Sequence, residues 1–405
     1  MFECMANPDL FKGYKIKIYP TEEQKVFLNR QIELFRYVYN WALGKEEEQY
    51  TLYKNGLVKK SFLEVLDLYT LFRDERKEKP WLCEIPTHTA KEAIRNMIRG
   101  YKKFFKKASG RPKFKTKKNA KKSFQVRNEP NAFYFDGEYL RISGLKFGDK
   151  ILCKNHNIPK EGVRYYRCTI TFDGFNYWLS LNVERDDSRL IEQRDDVDDT
   201  YQDESIGIDI GFRKLAQLST GQTYYHPDIH VLERRKRLQQ SRLAKMRNRR
   251  IKAALKAKTK LEEIPISKNE EKLQYQYYKT RSRINNIHYS NYHKITTEIA
   301  NLYPKRIVLE DINWRNLRRR KNGARSNIKW TPIHLFKEFL TYKCKDRGIE
   351  VVLADKFFPS TKKCSNCGNK YNIGSSETYK CPICGFIIDR DLNAAINLSR
   401  YGDNL

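Results

Sequence analysis

The chain has no apolar run approaching the roughly 18 residues a membrane-crossing helix needs, and it carries no lipidation motif. Its opening segment, MFECMANPDLFKGYK, lacks the apolar core of an export signal. Acid is scarce: 49 Asp and Glu face 80 Lys and Arg, leaving a formal charge of +31 over 405 residues. Of the nine cysteines, Cys4, Cys83, Cys153, Cys168 and Cys344 are scattered as ordinary thiols, not as a disulfide scaffold. These absences set aside a membrane partner and a secreted scaffold, and predict a cytoplasmic, nucleoid-associated protein. A charge of this size strains a compact fold unless a polyanion neutralises it, and nucleic acid is the default polyanion. With 40% hydrophobic and 13% aromatic residues the chain builds cores instead of remaining disordered.

The patterning predicts a multidomain α+β chain. Residues 1–20 give a first strand, with Tyr14 to Tyr19 alternating and Pro20 ending it. Thr21 and Gln24 form a capping box that opens a helical region over 21–108. Residues 109–185 read as short strands, including a hairpin at Asp173-Gly174, and predict a small β-barrel. An acidic linker covers 186–204. From 205 to 360 the order is three strands, a helical hairpin at 231–302, a strand, a helix and a strand. A cysteine knot over 361–387 intervenes before a terminal segment, 388–405, that begins a last helix near Leu392. That order is the one found in ribonuclease-H-like folds.

Metal-dependent nucleases of such a fold place acids on the first strand, the fourth strand and the last helix. Asp209 is a lone carboxylate in the otherwise apolar Ser205-Ile-Gly-Ile-Asp-Ile-Gly211. Glu310 and Asp311 end the fourth strand and point to opposite faces; Glu310 is the preferred ligand. Asp391 is preferred over the runner-up Asp389, because it is placed to open the helix of Leu392. Three gathered carboxylates repel unless cations sit among them. Two magnesium ions about 4 Å apart would neutralise them and activate a water for phosphodiester hydrolysis. Cys364, Cys367, Cys381 and Cys384 form two CxxC pairs with thirteen residues between them, a spacing that suits one structural zinc ion in a closed tetrahedral site.

Two basic stretches read as phosphate-tracking surfaces. Residues 101–122 hold eleven Lys or Arg and no acid, among them Lys102, Lys103, Lys106, Lys107, Arg111, Lys113 and Lys115, interleaved with Phe104, Phe105 and Phe114. Residues 233–260 hold thirteen against one Glu, including Arg234, Arg235, Arg242 and Arg249. Arg318 and Arg319 open a third patch. His288 and His293 show no ligand spacing and are expected at the surface or on phosphates.

Six segments together resemble the TnpB family, the insertion-sequence nucleases related to type V CRISPR effectors. They are Tyr14-Lys-Ile-Lys-Ile-Tyr-Pro-Thr, Phe35-Arg-Tyr-Val-Tyr-Asn-Trp41, Gly207-Ile-Asp-Ile-Gly, Val308-Leu-Glu-Asp-Ile, Phe358-Pro-Ser-Thr-Lys-Lys-Cys-Ser-Asn-Cys-Gly and Asp389-Arg-Asp-Leu-Asn-Ala-Ala-Ile-Asn. The resemblance implies a guide RNA, recognition of a short motif beside the target, and cutting of double-stranded DNA by one magnesium-dependent RuvC domain. It implies Asp209, Glu310 and Asp391 as the catalytic and magnesium-binding triad, and the four cysteines as zinc ligands. The helices of 21–108 become a recognition lobe, and the strands before Val183 a wedge barrel. Sequence specificity would come from base pairing, with the protein reading backbone shape. The acidic linker is longer than the family pattern, and the segment after Asn397 is short. Both leave open a CRISPR-associated relative with a different guide. A non-cutting guided repressor and a strand-joining transposase are the other readings. The intact acidic trio opposes the first, and the absence of a separate end-binding domain opposes the second. The sequence leaves the oligomeric state open.

Overall fold

The computed structural model describes residues 11–117, 121–146, 148–154, 165–184, 201, 204–261, 263–311, 332–355, 357–374 and 376–402. The expected acidic linker lies almost entirely outside these residues, and Arg318 and Arg319 lie outside them altogether. The chain divides into two compact units, Met1–Arg185 and Asp186–Leu405. No helix among the described residues is long and apolar enough to cross a membrane.

The first unit begins with strand β1 (Phe11–Tyr19) and helix α1 (Glu22–Lys54). The Thr21 hydroxyl accepts from Gln24 N–H while the Gln24 side chain accepts from Thr21 N–H, so the capping box forms as read. Helices α2 (Val65–Glu78) and α3 (Thr87–Phe105) follow, separated by a 3-10 turn at Pro80–Glu84. The α3 stripe Ala90, Ala93, Ile94, Met97, Ile98 and Tyr101 is buried, as its helical spacing requires. Six further strands complete a seven-stranded sheet: β2 (Ser123–Arg127), β3 (Phe133–Phe135), β4 (Tyr139–Ile142), β5 (Ile151–Lys154), β6 (Tyr165–Phe172) and β7 (Tyr177–Glu184). Its order is β2-β6-β7-β1-β5-β4-β3, antiparallel throughout. Strand β1 therefore sits in the middle of the sheet that the later strands build. At the β6–β7 turn one Asp173 carboxylate oxygen accepts from the Phe175 and Asn176 N–H groups, and the other from Trp178 Nε1, while Gly174 takes φ +97°. The expected barrel is not fully closed among the described residues. Strands β2 and β3 remain edges, although Phe135 and Tyr165 meet edge to face at 5.8 Å across the gap. Helix and sheet side chains share one continuous core.

The second unit opens with β8 (Ser205–Ile210), β9 (Lys214–Leu218) and β10 (Thr223–Tyr225). The hairpin of α4 (His230–Lys256) and α5 (Lys268–Ala300) follows, then β11 (Arg306–Glu310), α6 (Ile333–Asp346) and β12 (Glu350–Ala354). A two-stranded ribbon, β13 (Thr378–Lys380) and β14 (Ile387–Asp389), leads into α7 (Arg390–Ser399). The main sheet runs β10-β9-β8-β11-β12, with β8, β11 and β12 parallel and the other two antiparallel. The succession of elements along the chain is the one the hydrophobic pattern predicts.

Strand parity assigns the two faces. Ile206, Ile208, Ile307 and Leu309 join the core formed with α5 and α6, whereas Val308 joins Leu398 of α7 on the opposite face. Gly207 is the point of closest approach to α7. A Cβ there would lie 2.0 Å from Ala395 O and 2.3 Å from Ser399 N, so the helix backbone rests directly on the strand backbone.

Gly207→Ala should therefore destabilise this unit by about 3 kcal/mol, at the upper end of overpacking costs because backbone cannot swing aside as a side chain can. Thermal denaturation would measure the loss; an unchanged midpoint would show that α7 has room the packing does not indicate.

Candidate active site and metal centre

The acidic cleft forms where parity and α7 meet. Asp209 follows the Ile208↔Leu309 pair on β8, and Glu310 follows Leu309 on β11. Both carboxylates share the α7 face with Gly207 and Val308. Asp311 turns the other way, is exposed, and pairs with Lys337 of α6 at 3.3 Å. The choice of Glu310 over Asp311 thus has a geometric basis.

Asp391 enters from the first turn of α7, but it does not open that helix. Asp389 is the N-cap, and its Oδ1 accepts from the N–H groups of Asp391 and Leu392, each at 3.0 Å. The expectation that Asp391 opens the helix is corrected: Asp389 ends β14, and the helix begins between the two acids. A carboxylate satisfies the orphan N–H groups of a helix start and interacts well with its dipole, so the cap falls to Asp389 and leaves Asp391 facing the cleft.

The cleft, about 420 Å³, is lined by Asp209, Gly211, Arg213, Lys214, Arg390 and Asp391 among others. Burial, then the charges of Asp391 and Glu310, push Asp209 up to about 7, partly offset by Arg390 and Lys214. Burial also raises Glu310. Asp209 therefore senses both of the other carboxylates. Burial opposes ionisation of Asp389 too, but the Lys214 hydrogen bond and the two helix N–H groups hold it below its ordinary value. Lys214, which the sequence reading missed, places Nζ 2.8 Å from Asp389 and 3.9 Å from Asp391. Arg390 approaches the other Asp391 oxygen at 3.4 Å. The signal was available: Lys214 begins the strand that pairs with the Asp209 strand, and Arg390 lies between the two acids.

Among the described residues, Cys364, Cys367, Cys381 and Cys384 are the set whose donor atoms gather within 4.8 Å; the carboxylates stand wider apart. Sulfurs about 2.3 Å from one central ion stand roughly 3.8 Å apart. Cys364 and Cys384 are 3.8 Å apart, and Cys367 and Cys381 are 3.6 Å apart. Gly368 and Gly385 follow the two CxxC turns at φ +78° and +72°, and their N–H groups close each turn onto Cys364 O and Cys381 O. The donor set and its spacing fit zinc.

Asn393 and Asn397, one turn apart on α7 and both buried, fasten this knot to the cleft. Asn393 Nδ2 donates to Lys363 O, and its Oδ1 accepts from Ser365 N–H. Asn397 Nδ2 donates to Ser360 O and Lys363 O. Their i,i+4 spacing in Asp389-Arg-Asp-Leu-Asn-Ala-Ala-Ile-Asn was the legible sign, since two amides on one buried helix face need partners.

The basic residues divide. Lys102, Lys103, Lys106, Lys107, Arg111 and Lys113 are exposed at the end of α3 and just after it. Arg111 pairs with Glu47 at 3.3 Å. Lys115 departs from expectation: it is half-buried, its Nζ lies 3.4 Å from the Tyr39 ring centroid, and burial lowers it to about 8. It is a packing residue. Arg234, Arg235 and Arg242 line a groove of about 580 Å³ between α4 and α5, joined by Lys279, and Arg249 is exposed further along α4. The two histidines are corrected. His288 is buried beside Tyr292, and His293 stacks on Phe339 at 4.0 Å, so both serve the core.

Two family models match the chain: a Cas12f1-like TNB domain over residues 334–398, and a helix-turn-helix domain of the OrfB_IS605 kind over residues 10–55. The second name describes a geometry this segment lacks, since it is a strand followed by one unbroken helix. The chain is 28% identical to a Streptomyces pristinaespiralis protein provisionally named an RNA-guided DNA endonuclease, covering 96% of this chain and 89% of that one. It is 23% identical to the TnpB-like protein L79 of Acanthamoeba polyphaga mimivirus, covering 96% and 72%. In fold it resembles the protein of a Cas12f1–sgRNA–target DNA complex, with TM-score 0.51, 15% identity, and coverage of 94% and 83%. By these domain models, and by likeness to curated relatives along nearly its whole length, the chain is similar to TnpB-like proteins.

Proposed function

We propose that this protein is an RNA-guided DNA endonuclease that cuts double-stranded DNA in a RuvC-type site formed by Asp209, Glu310 and Asp391. The observation that carries the reading is the acidic cleft: three carboxylates from two parallel strands and one helix, with Asp209 raised by its burial and then by the charges of the other two. A cluster whose own charges oppose its ionisation is one that divalent cations relieve. Two magnesium ions held by these residues would supply an activated water and stabilise the departing oxygen of the phosphodiester. Asp389, engaged as helix cap and Lys214 partner, orients Asp391. One zinc ion in the four-cysteine knot would stiffen the ribbon, and Asn393 and Asn397 would pass that stiffness to α7. The basic surfaces would track the phosphates of a guide RNA and of target DNA, with the helices of 21–108 as recognition lobe and the strands of 109–185 as wedge, where the target-adjacent motif is read.

The test is to purify the protein expressed with its native flanking DNA, sequence the RNA that copurifies, and add matching duplex with magnesium. Asp209→Ala, Glu310→Gln and Asp391→Asn should each reduce cutting at least about a thousandfold while RNA copurification persists. Asp389→Asn should reduce it far less, because an amide oxygen still caps a helix. Random RNA fragments, or cutting at transposon ends without RNA, would instead favour direct DNA recognition by a nuclease or transposase. Guided binding without cutting in the unmutated chain would favour a repressor.

Metal affinity should depend on pH in a definite direction. Asp209 is protonated below about 7 and ionised above it, and the cation binds the ionised form. Affinity for manganese, followed by calorimetry, should fall about tenfold per pH unit below that point and level off above it. In Asp209→Asn the slope between pH 6 and 7 should flatten; a slope that survives would assign the proton to another group.

Zinc content should be about one ion per chain, released on denaturation. Cys364→Ser with Cys381→Ser should abolish it and lower the melting temperature of the second unit. Full stability without zinc would leave the knot with no bracing role.

A further inference from the structure

At the C-terminal end of α3 and just after it, the first unit carries an aromatic surface that its core does not use. Phe105 is 60% exposed, Phe114 52% and Phe104 37%. Phe105 is nonetheless held firmly from beneath. Phe62 meets it edge on at 5.7 Å, the buried Tyr101 lies nearly parallel to it at 5.9 Å, and Phe104 packs beside it at 5.6 Å. Phe62 also wedges against Tyr101 at 5.5 Å. A ring supported in this way is held in place while more than half of its surface stays open to solvent.

The segment after α3 is anchored too. Gly100 leaves room for Pro112, whose Cγ would lie 3.2 Å from a Cβ at that position. The Asn40 side chain donates to Lys115 O at 2.9 Å and accepts from Lys115 N–H at 2.8 Å. Lys113 and Phe114 are thereby fixed close to the helix. Around these rings residues 102–117 carry eight Lys or Arg and no acid. Lys103, Lys106, Lys107 and Lys113 make no ion pair among the described residues.

Exposed rings and unpaired cations each narrow what covers them. A duplex would satisfy the lysines with phosphates but leave the rings in water, because its bases are already stacked on one another. An apolar protein surface would cover the rings and desolvate the charges without compensation. An unpaired strand offers both a phosphate chain and free base faces. We propose that Phe105, with Phe104 and Phe114, is a stacking platform for unpaired bases of a single-stranded nucleic acid segment, whose phosphates run along Lys103, Lys106, Lys107 and Lys113. This rests on the nucleic-acid reading above and adds a mode of contact, base stacking outside the cutting cleft.

Stacking and phosphate contact differ in salt dependence, and that difference tests the platform. The full chain in an Asp209→Ala background, which cannot cut, is titrated with labelled oligo(U), oligo(dT) and a blunt duplex, each of about 15 nucleotides. Phe104→Ala with Phe105→Ala should weaken both single strands about tenfold, leave the slope of affinity against salt unchanged, and leave the duplex unaffected. Lys103→Ala with Lys106→Ala should weaken all three probes and flatten the slope by about two. Phe105→Trp should restore single-strand binding in a Phe105→Ala comparison, since a larger ring stacks at least as well. Undiminished single-strand binding in the phenylalanine double variant, or an equal loss on the duplex, overturns the platform while leaving the endonuclease reading intact. Failure of the parent chain to bind any probe sinks both. Either strand chemistry upholds the platform, and the one with the larger loss identifies whether RNA or displaced DNA lies on it.

Discussion

Helix α7 and strand β8 touch backbone to backbone, with only the hydrogen of Gly207 between them. The acidic cleft depends on that contact. Asp209 is fixed by the strand two residues later, on the same face. Asp391 is fixed by the first turn of the helix. Any side chain at Gly207 separates the two, whatever it does to the rest of the core. The carboxylates gain nothing from approaching one another, so packing elsewhere must hold them together: Val308 against Leu398 on this face, and the larger α5–α6 core on the other.

The start of α7 needs its own restraint, because a helix begins with unsatisfied N–H groups and tends to fray. Asp389 satisfies two of them. The buried amides of Asn393 and Asn397 tie the next turns to the loop that carries Cys364. The cysteine knot is thus coupled to the cleft through hydrogen bonds from α7, so a metal at one site would help position the ligands of another. This coupling also accounts for the closeness of the two motifs in the chain: five residues, 385–389, separate the last cysteine from the start of the helix.

Electrostatically the acidic cleft runs against the balance of the whole protein. A chain of net charge +31 concentrates carboxylates at one place and surrounds them with Lys214, Arg390 and Arg213. The cations lower the cost of the cluster without removing it, as the raised Asp209 records. Outside the cleft, exposed lysines at the α3 end and arginines lining the α4–α5 groove are left facing solvent or a polyanion.

Much of this was legible in the sequence because it is local or periodic. The Thr21–Gln24 box, the Asp173-Gly174 turn, the succession of elements in the second unit and the CxxC spacing each follow from near neighbours or from period 2 and period 3.6 patterns. Parity also put Glu310 and Asp311 on opposite faces, a property of the chain alone, whereas which of those faces meets Asp209 and α7 came from the packing. What tertiary structure decided were matters of distance between remote segments. The sheet of the first unit curls without fully closing, because edge pairing depends on how seven strands twist together. Lys115 is a packing residue because Tyr39 and Asn40, 76 and 75 positions earlier, lie beneath it. His288 is buried and His293 is half-buried against Phe339 of α6. The sequence favoured Asp391 over Asp389 as the residue that opens the helix, but either can cap a helix, and the cap is Asp389. Only the pairing of β14 with β13 fixed where the strand stopped, and with it which carboxylate was spent on the helix and which was left for the cleft.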